Sequence, residues 1–175
     1  MPSAYIITFI GDDRPGLVEQ LSRVIEDNRG NWHESRLSQL GGKFAGLILV
    51  TLPGDDGDKL ENELRGISAS GLSVRVTPSI EGFSFDVSTG ITLTVIGPDR
   101  LGIVREISRA LSSHQVNVVE MDSEVSSAPM SGEMLFKARI DAEIPPTLEL
   151  DDLADALDEI ANQMALDIEL EPSAI

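Results

Sequence analysis

A repeat at one fixed offset, strands that alternate cleanly, and helical stripes between them predict an α+β protein of two ferredoxin-like βαββαβ units in tandem. The repeat is the strongest of the three signs. Ile7-Thr8-Phe9-Ile10-Gly11-Asp12-Asp13-Arg14-Pro15-Gly16-Leu17-Val18 returns without a gap 86 residues later as Leu93-Thr94-Val95-Ile96-Gly97-Pro98-Asp99-Arg100-Leu101-Gly102-Ile103-Val104. The match continues through Leu21/Ile107, Ser22/Ser108, Arg23/Arg109, Asn31/Asn117 and Glu34/Glu120. Two long copies mean two domains, because a solenoid needs more and shorter units. The spans expected are 3–80 and 88–172, joined by a short linker at 81–87.

Each element has its own reason. Tyr5, Ile7 and Phe9, and Leu93 and Val95, alternate as half-buried strands do. After the Asp-Arg-x-Gly loop, Leu17, Val18, Leu21, Val24 and Ile25 fall at spacings that paint one helix face, as do Ile103, Val104, Ile107, Ala110 and Leu111. A second strand follows Asn31 and Asn117, and a third covers Phe44–Leu52 and Met134–Ile140. Second helices carry Leu60, Leu64 and Ile67, or Leu153, Leu157, Ile160 and Met164. Last strands alternate through Leu72, Val74 and Val76, or Leu166, Ile168 and Leu170. Asp55–Asp58 and Ile144–Thr147 read as loops before the second helices, and Ser126–Gly132 as a hairpin excursion. This order is the split βαβ arrangement, in which helices cover one face of a four-stranded antiparallel sheet.

Parity of the strands assigns the faces. Aligning the third strands by Gly42 and Gly132 sets Phe44, Gly46, Ile48 and Val50 against Met134, Phe136, Ala138 and Ile140, toward the helices. The opposite face then carries Leu47 and Leu49 in the first unit and Lys137 and Arg139 in the second. Ile6 and Ile10 join the leucines, so Ile6, Ile10, Leu47 and Leu49 are expected to pack on the second unit or on another subunit, with a homodimer favoured.

Composition narrows the functions. The 175 residues contain no cysteine, so disulfides, thiolate metal sites and a cysteine nucleophile are excluded. Aromatic residues make up 4%, so the cores must be aliphatic. The net charge of −17 repels phosphate backbones and argues against direct nucleic-acid binding. Residues 1–85 carry 8 basic and 12 acidic side chains, and residues 86–175 carry 5 and 18. That acidity serves solubility or a basic partner protein. No apolar run spans a membrane, and Met1-Pro2-Ser3-Ala4-Tyr5 does not resemble a signal peptide, so a cytoplasmic protein is expected. His33 and His114 occupy non-equivalent positions without metal-ligand spacing, and Asp12-Asp13 lacks calcium-loop partners. No nucleophile elbow, phosphate loop or dinucleotide fingerprint occurs, so an enzyme, a metal site and a cofactor are not expected.

The Asp-Arg-x-Gly loop carries the chemistry. Asp13 and Asp99 suit helix caps, and Gly16 and Gly102 leave room for a close approach to the backbone. The free N–H groups and the helix dipole would hold a carboxylate. Asn31 and Asn117, expected beside the loop, would add an amide donor and acceptor. The same residues could equally build only a tight strand-to-helix turn.

Gly-Asp-Asp-Arg-Pro-Gly-Leu-Val at 11–18 and Gly-Pro-Asp-Arg-Leu-Gly-Ile-Val at 97–104 resemble the ACT domain family of amino-acid-binding regulatory modules. Asn31-Trp32-His33-Glu34-Ser35-Arg36-Leu37 and Leu40–Ala45 are similar to the tandem-ACT glycine cleavage system repressors. The resemblance covers nearly the whole chain. It implies ligand contacts from Asp13, Arg14, Gly16, Leu17 and Asn31, and from Asp99, Arg100, Gly102, Ile103 and Asn117. The units differ at Pro15/Leu101 and Asp12/Pro98, and Trp32 and His33 stand where the family has apolar residues, which sets equal binding by both units in question. The resemblance implies a non-catalytic regulator that senses a small amino acid, glycine among the candidates, and acts on a regulator protein. A ligand-free assembly module is the alternative.

Overall fold

Strand β1 (Pro2–Asp12) leads into helix α1 (Leu17–Asp27), then β2 (Asn31–Leu40), β3 (Lys43–Pro53), α2 (Gly57–Gly66) and β4 (Ser73–Pro78). The second series is β5 (Thr89–Pro98), α3 (Ile103–Ser113), β6 (Asn117–Ser127), β7 (Met134–Ile144), α4 (Leu150–Met164) and β8 (Asp167–Pro172). The structure is a computed structural model that describes residues 2–67, 71–80 and 89–173. The expected linker at 81–87 lies outside them. The chain divides into two compact units, Met1–Phe83 and Ser84–Ile175.

Both units are α+β with the βαββαβ order. The sheets run β2-β3-β1-β4 and β6-β7-β5-β8, and the neighbouring strands in each pair antiparallel. Each first helix lays a stripe on its sheet. Leu17, Leu21 and Ile25 meet Tyr5, Ile7, Ile48 and Val50 in the first core, and Ile103, Ile107 and Leu111 meet Leu93, Val95 and Ile140 in the second. The helical stripe is narrower than the sequence spacing implies. Val18 and Val104 are 41% and 43% exposed, because a position next to the stripe's first residue is rotated by about 100° away from the sheet.

The β2–β3 hairpin explains a shift in register. Leu40 pairs with Lys43 across Gly41 (φ 58°) and Gly42 (φ 77°), and two positive φ values are what a tight type I′ turn demands. In the second unit the connection lengthens to Ala128–Glu133, closed by an Ala128 N–H bond to the Glu133 carbonyl. The third strands are therefore offset by 92 residues, not by the 90 that aligning Gly42 with Gly132 suggests. Ile7 pairs with Ile48 where Leu93 pairs with Ile140, and Gly11 pairs with Phe44 where Gly97 pairs with Phe136. The correction is an even number, so every side chain keeps its face. Its consequence is that Leu47 and Leu49 correspond to Arg139 and Asp141 rather than to Lys137 and Arg139. The third strand of the second unit also runs on to Ile144, so the loop before α4 begins only at Pro145.

Candidate functional site

The β1–α1 loop is fixed at both ends. The Asp13 N–H donates to the Gly42 carbonyl at 3.0 Å, which ties the loop to the hairpin turn. The first helical bond runs from the Gln20 N–H to the Gly16 carbonyl at 3.0 Å. The N–H groups of Leu17, Val18 and Glu19 precede it and point out of the helix end. The second unit repeats the device: Asp99 N–H to Met134 carbonyl at 2.8 Å, and Glu106 N–H to Gly102 carbonyl at 2.9 Å.

Neither aspartate caps its helix. The N-cap residues are Gly16 (φ 84°) and Gly102 (φ 95°), and neither helix start has a side-chain cap. The cause is conformational. A left-handed N-cap turns the chain so sharply that the aspartate three residues earlier stays with the strand end. The glycines are needed for this positive φ rather than for space alone. A Cβ built at either one meets nothing within 4 Å.

A surface depression of about 410 Å³ opens at the first loop, lined by Asp13, Arg14, Gly16, Leu17, Val18, Glu19 and Phe44. Leu17 is buried beneath it and Val18 stands at its rim. Arg14 Nη2 donates to Gln20 Oε1 at 2.9 Å, so its guanidinium lies along the first turn of α1. Lys43 is held by Asp12, and that pairing keeps the Asp12 carboxyl below its ordinary range, through the hydrogen bond first and the charge second. The depression thus combines main-chain N–H donors, the carboxylate of Asp13, that of Glu19, which also holds Arg23, and an apolar wall. Phe44 supplies that wall and was not among the residues expected from the sequence. The sign of it was the Gly-Gly turn just before it, which the loop grips. Phe44 also packs on Phe9, ring centroids 5.8 Å apart.

The second loop presents Asp99, Arg100, Gly102 and Ile103 in the same order, with Ile103 buried. Leu101, where the first unit has Pro15, is 99% exposed. Phe136, the register equivalent of Phe44, is buried.

Asn31 and Asn117 are not beside these loops. Asn31 pairs with Thr51, which pairs with Ala4, whereas the loop follows Asp12, which pairs with Lys43. Eight strand residues separate the two levels, roughly 27 Å at the usual rise. Asn117, level with Glu143 and Gly90, is equally far from Pro98. The reason is topological: α1 runs back along the sheet, so β2 starts at the end opposite the loop. Asn31 Nδ2 lies 3.5 Å from His33 Nε2, which sits 2.9 Å from Thr51 Oγ1. His114 closes the end of α3, its Nδ1 2.8 Å from the Ala110 carbonyl.

Ile6, Leu47 and Leu49 line a shallow groove of about 230 Å³ with Glu34, Ser35 and Arg36, on the sheet face away from the helices. Ile10 is on that face too, one pair further along β1. Among the described residues no group of three or more His, Asp or Glu side chains could hold a metal ion, and no helix is long and apolar enough to cross a membrane.

A family model for the ACT domain matches residues 3–77 and 90–171. No curated protein matches the sequence. A crystal structure of an unknown protein from Galdieria sulphuraria is similar over 99% of this chain and 100% of its own, with 28% identity and a TM-score of 0.90. A candidate glycine cleavage system transcriptional repressor is similar in fold over 100% of this chain and 99% of its own, with 18% identity and a TM-score of 0.71.

Proposed function

The chain belongs to the ACT domain family, twice over along its length, and from that premise we propose that it is a non-catalytic regulatory protein that senses a small amino acid. The domains run over 3–80 and 88–172, and the protein works in the cytoplasm. The ligand sits in the depression of the first unit. Its carboxylate meets the N–H groups of Leu17 to Glu19, and its ammonium meets Asp13 or Glu19. The observation that carries this reading is the coincidence of a helix start, two carboxylates and an apolar wall in one depression. About 410 Å³ leaves room for a small amino acid and selects none of them by size. Asp99, Arg100, Gly102 and Ile103 form the corresponding site of the second unit. Asn31 and Asn117, a sheet length away, do not reach a ligand held at the loop of their own unit.

The response is passed on by contact with a regulator protein, in the manner expected of a glycine cleavage system repressor. A surface of net charge −17 favours a protein partner over DNA. Calorimetry of the full chain against a panel of amino acids, glycine among them, tests the reading. One amino acid should bind, and Val18→Asp, which sets a carboxylate at the rim of the depression, should weaken it at least about tenfold, roughly 1.4 kcal/mol. Absence of binding by every amino acid at millimolar concentration, or binding unaffected by Val18→Asp, overturns it.

A further inference from the structure

The two sheets show opposite chemistry on the faces that their helices leave open. In the first unit the rows across the sheet read Glu34, Leu49, Ile6, Thr77, then Arg36, Leu47, Thr8, Arg75, then Ser38, Ala45, Ile10, Ser73. The centre is apolar, and Leu47 and Ile10 are 51% and 49% exposed. Five charges surround it: Glu34 and Arg36, which pair at 3.0 Å, Arg75, and one row beyond Ile10 the ion pair of Asp12 with Lys43. In the second unit β6 presents Glu120, Asp122 and Glu124 and β8 presents Asp167, Glu169 and Glu171, all exposed, around Lys137 and Arg139.

We propose that the open sheet face of the first unit is where two copies of this chain meet, face to face, while the open face of the second unit stays out of that contact. Charge decides between the faces. Stacking the second face on itself would bring six edge carboxylates against six more, with only two cations on each side to offset them. The first face carries one net positive charge around an aliphatic centre, so it can be stacked on itself at little electrostatic cost. A two-fold axis that crosses the strands between Leu47 and Leu49 places Leu47 of one copy on Leu49 of the other. The same operation sets Glu34 opposite Arg36 of the second copy, so the polar rim becomes complementary twice. Size agrees. Three strands of ten or eleven residues and one of six, about 4.8 Å apart, give on the order of 600 Å² per face, so two faces bury on the order of 1,200 Å², the lower bound of a specific interface. The contact is independent of the ligand reading, because the face and the loop depression share no residue.

Sedimentation of the full chain tests this. The parent should be a dimer at micromolar concentration. Leu47→Glu with Leu49→Glu should raise the dissociation constant at least about a hundredfold, since it buries four carboxylates in the stacked face. Lys137→Glu with Arg139→Glu should leave the dimer intact. A monomeric parent, a Leu47/Leu49 variant that remains dimeric, or a dimer lost through Lys137 and Arg139 overturns the proposal. Should the leucine variant fail to fold, the cysteine-free chain permits a nitroxide on Ser38→Cys. Dipolar coupling between the labels of two copies supports the face-to-face contact, and its absence in a sample that sediments as a dimer overturns it.

Discussion

Thr92 donates a 2.6 Å hydrogen bond to Asp141 Oδ1 across β5 and β7, at the place where the first unit pairs Ile6 with Leu49. One sheet position has thus been filled by an apolar pair in one unit and by a buried hydroxyl with a carboxylate in the other. Thr92 is 8% exposed, and Arg139 Nη2 approaches Asp141 Oδ1 at 3.1 Å from the solvent side.

This pair predicts an acid sensitivity of the second unit. The Thr92 hydrogen bond, against the opposing effect of burial and with help from Arg139, holds the Asp141 carboxyl below its usual range. A lowered folded value means that the unfolded chain binds the proton more readily. The stabilisation is therefore present above the ordinary carboxylate range and is lost as pH falls through the folded value. Urea unfolding between about pH 6 and about pH 3 should show stability falling, and Asp141→Asn should flatten the fall. An unchanged slope in the variant would show that the bond has no such effect.

Tyr5 predicts the reverse at high pH. Its hydroxyl donates to Asp55 Oδ1 at 2.6 Å, and its ring is buried. The hydrogen bond to Asp55 is the largest cause that raises its ionisation, followed by burial and by the carboxylate's charge. A raised folded value contributes stability that is full below about pH 10 and lost as pH rises beyond it. Tyr5→Phe should cost about 1 kcal/mol at neutral pH, because Asp55 remains in water once the bond is gone. Melts above about pH 10 should fall less steeply in Tyr5→Phe than in the parent, and equal slopes would refute the assignment.

The fold was legible because periodicity and repetition are local properties. Ile7, Leu21 and Ile48 lie in the core where their spacing puts them. Parity assigned the faces of β3 and β7 even though the register was two residues out, since an even slip preserves the side. What the sequence hid was long-range. The length of the Ala128–Glu133 connection set the true register, and nothing in Gly132 itself showed that it was not the partner of Gly42. Asn31 is near the loop in the chain, whereas α1 carries the chain a full sheet length away. Asp13 looked like a cap because aspartate commonly is one, and only the left-handed φ of Gly16 shows why it is not.

Direct DNA binding should be absent. The basic side chains number 13 against 30 acidic ones, and both β6 and β8 present carboxylates outward. Neutralising phosphates needs a basic surface that releases counterions, and this chain offers none of that extent among its described residues. The purified protein should leave a promoter fragment unshifted at about 150 mM salt. A salt-sensitive, sequence-specific shift by the protein alone would contradict this.

The loop glycines separate stability from binding, and they do so differently from what their size suggests. Gly16 and Gly102 adopt φ of 84° and 95° with open space where a side chain would go. Valine is no clean test of that space, because a β-branched residue is strongly disfavoured at positive φ whatever the space. Alanine is the cleaner probe. It should cost about 1–2 kcal/mol at each position through backbone strain alone. The two losses should be similar, since the two turns have the same geometry and neither Cβ collides. Gly16→Ala also adds only a methyl group beside the depression, so ligand affinity measured well below the melting temperature should change less than it does in Val18→Asp. Chemical denaturation of the two single variants, followed by calorimetry of Gly16→Ala, checks both halves. If Gly16→Ala proves neutral in stability, the left-handed turn at the start of α1 is not what holds glycine there.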